Sequence, residues 1–153
     1  MVKFHEHIVR IGALGFTRDM LWRGLEDSVR HPENFIEHME SSAILAEEEK
    51  DDGLHLSRKI DFGAAVFHDE VVLTPKESIK TVVEAGENWP ASIFTIKIEE
   101  PEEGQLFVRF VYEEEARPND VQHPMMLQIR RQAYEAKDQH LIEAIQELPA
   151  VRQ

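Results

Sequence analysis

Apolar residues recur along this chain with two different periods. From Met39 to Glu114 they alternate with polar residues in short runs divided by turn signals, which predicts an antiparallel meander. From Gln122 to Leu148 the period is helical, and no other segment is long enough to serve as a spine. With Leu141 at the centre of its face, stepping of about 100° per residue gathers Met126, Leu127, Ala133, Tyr134, Ala144, Ile145 and Leu148 on one side. Arg130 and Lys137 fall there too. Such a stripe suits the lining of a partly polar cavity better than a dry core.

Ahead of the meander, Phe4 to Ile11 alternates as a strand and Gly12 to Gly15 breaks it. Thr17 is placed to cap a helix from Arg18 to Arg30, whose apolar stripe is Leu21, Trp22, Leu25 and Val29. His31-Pro32 ends that helix, and Pro32 opens a second short one to Ile36, making a helical elbow.

Turn chemistry sets the meander's registers. Gly63-Ala64 as a two-residue loop pairs Phe62 with Ala65, Ile60 with Phe67, Arg58 with Asp69 and Leu56 with Val71. All share one face, which is apolar apart from Arg58 and Asp69, so the two charges are expected to meet inside the fold. Asp52-Gly53 as a second such loop puts Glu47 opposite Arg58, whereas a bulge turns Ile44 and Ala46 inward instead. Strands follow at Ser78 to Ala85, Ser92 to Glu100 and Gln105 to Glu114. Their inner faces carry Ile79, Thr81 and Val83, then Phe94, Ile96 and Ile98, then Leu106, Val108, Phe110 and Tyr112. Pro118 and Pro124 precede the spine and Pro149 stops it, giving one domain over 1–148 and a short tail over 149–153.

Composition narrows the chemistry. The 153 residues suit a single core, and the absence of cysteine excludes disulfides, thiolate catalysis and thiolate metal sites. A net charge of −13 argues against nucleic acid and anionic membranes as partners. No apolar run reaches membrane-span length and Met1 to Glu6 lacks a secretory h-region, so the expected location is cytoplasmic, as monomer or homodimer. Acidic runs such as Glu113-Glu114-Glu115 read as solvated hairpin ends.

A strand, a two-helix elbow, a six-stranded meander and a long last helix follow the helix-grip order, an α+β fold that resembles the START and birch-pollen-allergen (SRPBCC) superfamily. Leu21-Trp22-Arg23-Gly24-Leu25 with Pro32 and Phe35, Asp69-Glu70-Val71-Val72-Leu73, Ile98-Glu99-Glu100-Pro101-Glu102 and Leu106-Phe107-Val108-Arg109-Phe110 look like the AtaL-like family within it. The resemblance implies a curved sheet gripping the last helix around a hydrophobic pocket. It transfers no catalytic motif.

Three functions are compatible with that order. The first is reversible binding of a small, mostly hydrophobic molecule with at most one acidic group, contacted by Arg58, Asp69, Tyr134, Arg130, Phe67, Phe94, Phe110, Tyr112 and Leu141. A second is a cofactor-free cyclase, dehydratase or isomerase acting on a carbonyl compound, with Tyr134 as acid and Asp69 or Glu70 as base. The third is a chaperone-activator-like interaction domain. Each polar candidate also has a structural role open to it: Arg58 and Asp69 as an ion pair, Tyr134 as a helix-to-sheet anchor, and Lys137 as a snorkelling base rather than an amine nucleophile. His5 and His7 have a spacing suited to two metal ligands, but no third ligand accompanies them, so no metal site is assigned. Trp22, Trp89, Phe16 and Phe35 are candidates for a pocket wall or for anchors of the elbow.

Overall fold

A computed structural model describes residues 1–116 and 124–149. The chain runs β1 (Val2–Arg10), α1 (Arg18–Arg30), a single 3-10 turn (Pro32–Asn34), β2 (Ser41–Lys50), β3 (Gly53–Asp61), β4 (Val66–Thr74), β5 (Ser78–Val83), β6 (Ser92–Glu102), β7 (Gln105–Glu114) and α2 (Pro124–Glu147). One antiparallel sheet takes the order β1-β7-β6-β5-β4-β3-β2, so the first strand closes against the last. Both helices pack on its concave face, the helix-grip arrangement. Among the described residues no helix is long and apolar enough to cross a membrane.

Helix α1 has its expected bounds. The Thr17 hydroxyl accepts the Met20 N–H at 3.1 Å, and Leu21, Trp22, Leu25 and Val29 are buried on the stripe facing the sheet. The elbow's second half is a single 3-10 turn, Pro32–Asn34, closed by the Phe35 and Ile36 N–H groups, both donating to the Pro32 carbonyl at 3.0 Å. At Gly24 the two helices approach so closely that a Cβ would lie 2.3 Å from Ile145 Cγ2. Only glycine fits that crossing.

The Gly63-Ala64 turn forms as expected, with the Phe62 N–H bonded to the Ala65 carbonyl at 2.9 Å and Arg58 opposite Asp69. The neighbouring turn does not. Lys50 pairs with Gly53, so the loop is Asp51-Asp52. Gly53 begins β3 because a Cβ there would strike the Leu73 carbonyl oxygen at 2.3 Å. A bulge at Leu45 then brings Ile44 opposite Arg58 and leaves Glu47 opposite Leu56. No Glu47, Arg58, Asp69 row exists; Glu47 instead receives the Arg30 guanidinium at 2.8 Å. Strand β5 stops at Val83 rather than Ala85. Strand β6 runs on to Glu102, with a bulge that accommodates Pro101.

The described part of the spine begins at Pro124, and Gln122, Pro118, His123 and the tail beyond Pro149 lie outside the described residues. Its buried line is Asp138, Ile142 and Ile145, with Tyr134, Leu141, Ala144 and Leu148 half-buried beside them. Met126 and Ala133, expected on this face, are exposed. The α1 crossing at Gly24 turns Ile145 inward, so the stripe centres on Ile142 rather than Leu141.

Candidate functional site

Between the concave face and α2 lies a cavity of about 480 Å³, partly open to solvent. Strands supply Ile60, Phe67, Ile79, Phe94 and Ile96, the elbow Val29 and Phe35, the loop after β5 Trp89 and Pro90, and α2 Tyr134 and Leu141. Alternation along each strand puts these apolar groups on the concave side.

Set into this wall are three cations, each beside a carboxylate. Arg58 holds Asp69 through two parallel bonds, Nε to Oδ1 at 2.9 Å and Nη2 to Oδ2 at 2.7 Å, while its Nη1 donates to the Val29 carbonyl at 2.8 Å. Three of its five N–H donors are thus engaged. Arg130 pairs with Glu114 and also donates to the Tyr134 hydroxyl at 3.2 Å. Burial opposes its charge, but those two bonds prevail and raise its pKa. The third pair is looser: Lys137 Nζ stands 3.5 Å from Asp138 Oδ1. With Arg58, Arg130 and Lys137 balanced by Asp69, Glu114 and Asp138, the lining carries no net charge when all six are ionised.

Lys137 Nζ also lies over three ring faces, 4.6 Å from the centroid of Phe94, 5.1 Å from Tyr112 and 5.5 Å from Tyr134. These rings form a continuous stack, with Phe94 and Tyr112 4.6 Å apart and Tyr112 and Tyr134 4.4 Å apart. Lys137 lines the cavity with 40% of its side chain accessible. Burial among the rings pushes its pKa down, and Asp138 pulls against that shift.

Asp138 is fully buried on α2. Its Oδ2 accepts the Tyr112 hydroxyl at 2.6 Å and lies 2.7 Å from His7 Nε2, whereas Oδ1 has no hydrogen-bond partner. Burial, reinforced by Asp138, pushes the Tyr112 hydroxyl pKa well above its usual value. This carboxylate ties α2 to β1 and β7 at once.

Arg58, Asp69, Arg130, Tyr134, Phe67, Phe94 and Leu141 line the cavity together. Phe110 and Tyr112 face inward but lie one layer behind, beneath α2, and do not border the void. Glu70 is on the outer face, where the Ser57 hydroxyl donates to it at 2.6 Å, so it cannot act as a base within the cavity. Trp89 and Phe35 line the void, while Trp22 and Phe16 belong to the core. Sequence reasoning missed Asp138 and Glu114, and His7 as a partner of Asp138. The signal for Asp138 was its place about 60° from Leu141 on the helix, inside the stripe.

His5 and His7 stack at 5.3 Å under α2, and among the described residues no three metal-ligating side chains converge. The Nε2 of His5 is buried without a hydrogen bond, 3.4 Å from Glu135. Burial holds the His5 pKa below its ordinary 6.5, against the pull of Glu135. As pH falls from 6.5 toward that lowered value, the unfolded chain takes up a proton that the folded chain refuses, so stability falls. His5→Phe is expected to flatten this part of the profile in urea unfolding between about pH 7 and about pH 5. An unchanged acid slope would assign the loss to other groups.

Fold and site together define a helix-grip protein with a cavity between its sheet and its last helix. Residues 13–151 match the family described as AtaL, acetylaranotin biosynthesis cluster protein L, and the chain belongs to that family. No curated protein matches the sequence significantly. A START superfamily protein from Mycobacterium smegmatis shares the fold at 15% identity over 94% of this chain and 97% of that one, with a TM-score of 0.67. Zhui aromatase/cyclase from a Streptomyces species is 15% identical over 93% of this chain and 92% of its own, with a TM-score of 0.60. The di-domain ARO/CYC StfQ of the steffimycin biosynthetic pathway matches 92% of this chain at 11% identity and a TM-score of 0.65; this chain spans about half of it, 48%.

Proposed function

We propose that this protein reversibly binds a small, mostly hydrophobic and uncharged molecule between its sheet and its last helix. The observation that carries the reading is the cavity of about 480 Å³, apolar in its walls and balanced in its charges. That volume falls in the range of roughly 300–1,000 Å³ typical of small-molecule sites. Charge pairing replaces the acidic group expected of the ligand with neutral hydrogen-bonding groups. An anion drawn to Arg58 or Arg130 would have to compete with Asp69 or Glu114 already in place. Arg58 keeps two N–H donors for a carbonyl or hydroxyl oxygen, and the Tyr134 hydroxyl, accepting from Arg130, has its own proton to give.

The cyclase or dehydratase reading draws on the aromatase/cyclase fold relatives and on the same void. Its acid, Tyr134, and its base, Asp69, both line the cavity. Both carboxylate oxygens of Asp69 are engaged by one guanidinium, however, which leaves it poorly placed to take a proton from a ligand. Reversible binding is the better supported of the two.

Leu141→Trp tests the reading by filling the void from α2. The uncharged dye 6-propionyl-2-(dimethylamino)naphthalene is expected to bind the native protein with a blue shift, and at least tenfold more weakly to the variant, with thermal unfolding little changed. Equal affinity for both proteins would place the dye elsewhere and end the cavity reading.

A further inference from the structure

We infer that Lys137 is a nucleophilic amine that captures a ligand aldehyde or ketone as a Schiff base at the cavity wall, with Asp138 moving the proton. The inference rests on the cavity-binding reading and adds a covalent step to it.

Among the described residues, Lys137 is the cavity cation held most loosely by its carboxylate. Arg58 and Arg130 are each held by short bonds to a carboxylate, whereas Lys137 reaches Asp138 only at 3.5 Å, longer than the roughly 2.7–2.9 Å of a charge-assisted hydrogen bond. Its Nζ faces ring surfaces and the void. Desolvation there favours the neutral amine, the form that attacks carbonyl carbon.

The far side of that same gap is Asp138. Its Oδ1 is buried and has no hydrogen-bond partner, while Tyr112 and His7 occupy Oδ2. A buried carboxylate oxygen left unbonded is costly unless something supplies a donor. A carbinolamine hydroxyl or an iminium N–H formed on Lys137 would supply it. The same oxygen disfavours simple anion capture at Lys137, because a bound carboxylate would sit against it. An uncharged carbonyl meets no such repulsion.

The step balances without any other reagent. Asp138 Oδ1 takes a proton from the Lys137 ammonium. The freed nitrogen pair forms the C–N bond as the carbonyl π pair moves to oxygen, which receives the proton from Asp138. A second proton then passes from nitrogen to Asp138 and on to the hydroxyl, and water leaves as the C=N bond forms. Ammonium and carbonyl thus become iminium and water, nothing is oxidised or reduced, and hydrolysis reverses the capture.

The test uses 6-methoxy-2-naphthaldehyde with cyanoborohydride, which fixes an iminium as a secondary amine, and its alcohol analogue as a carbonyl-free control for binding. At about pH 7 surface lysines, with pKa values near about 10.4, stay protonated. The expected result is one reduced adduct per chain, mapped by peptide mass spectrometry to Lys137, forming at least tenfold faster than any adduct in Lys137→Gln. Asp138→Asn is expected to slow trapping at Lys137. Adducts scattered over surface lysines while the alcohol still binds the native protein would overturn the inference and leave the binding reading standing. Failure of the alcohol to bind would overturn both. Because the native protein alone locates the adduct, a poorly folding variant does not rescue the idea.

Discussion

Asp69→Ala is expected to lower the unfolding free energy by about 3–5 kcal/mol, a large share of the about 5–15 kcal/mol that holds a domain of this kind together. The substitution leaves Arg58, 9% exposed, with the Val29 carbonyl as its remaining partner. Leu56, Ile60, Phe67 and Val71 surround it on the same face, so a lone guanidinium there has neither counter-ion nor apolar shape. Water in the adjoining cavity can reach one side of the group, which places the cost toward the lower end. Removing both charges should behave differently. An Arg58→Met, Asp69→Leu double variant gives up the pairing and both desolvation penalties together, and is expected to lie within about 1–2 kcal/mol of the native protein. Urea unfolding of Arg58→Met alone, Asp69→Leu alone and the double variant closes the cycle. A single-variant midpoint no further displaced than that of a surface substitution would mean that the pair is solvated, and its place in the wall would need another explanation.

The pair could be read from the chain because one turn decided it. Gly63-Ala64 fixes the partner of every residue from Leu56 to Val71, and alternation does the rest. Helix α1 was equally readable, since Thr17 and the spacing of Leu21, Trp22, Leu25 and Val29 are local signals. What escaped was set by contacts distant in sequence. Gly53 is needed where β3 begins, by its φ of 136° and the close Leu73 carbonyl, so the loop moves back by one residue and the pairing by two before the Leu45 bulge shifts it again. Phe110 and Tyr112 share the inner face with Phe94 yet sit beneath α2, so facing inward does not mean facing the void. Which strand lies under the helix follows from packing, and alternation is blind to it.

Asp138 shows the same limit on α2, where an acidic residue inside an apolar stripe looks like an outward one. Asp138→Ala is expected to cost about 2–6 kcal/mol, because it strands two groups at once, the Tyr112 hydroxyl and His7 Nε2, at roughly 1–3 kcal/mol each. Asp138→Asn should cost far less, about 1 kcal/mol. Its amide oxygen in the Oδ2 position still accepts from both the Tyr112 hydroxyl and a His7 that carries its proton on Nε2, with the NH2 on the Oδ1 side. If the bonds rather than the charge anchor α2, the ranking in urea unfolding at about pH 7 is native, then Asn, then Ala, with the larger gap at Ala. Equal losses for the two variants would make the negative charge the anchor. Loss of charge alone would then loosen the helix, and slowed trapping in Asp138→Asn would reflect a displaced Lys137 rather than a missing proton carrier. The stability ranking therefore decides whether that variant isolates the proton transfer.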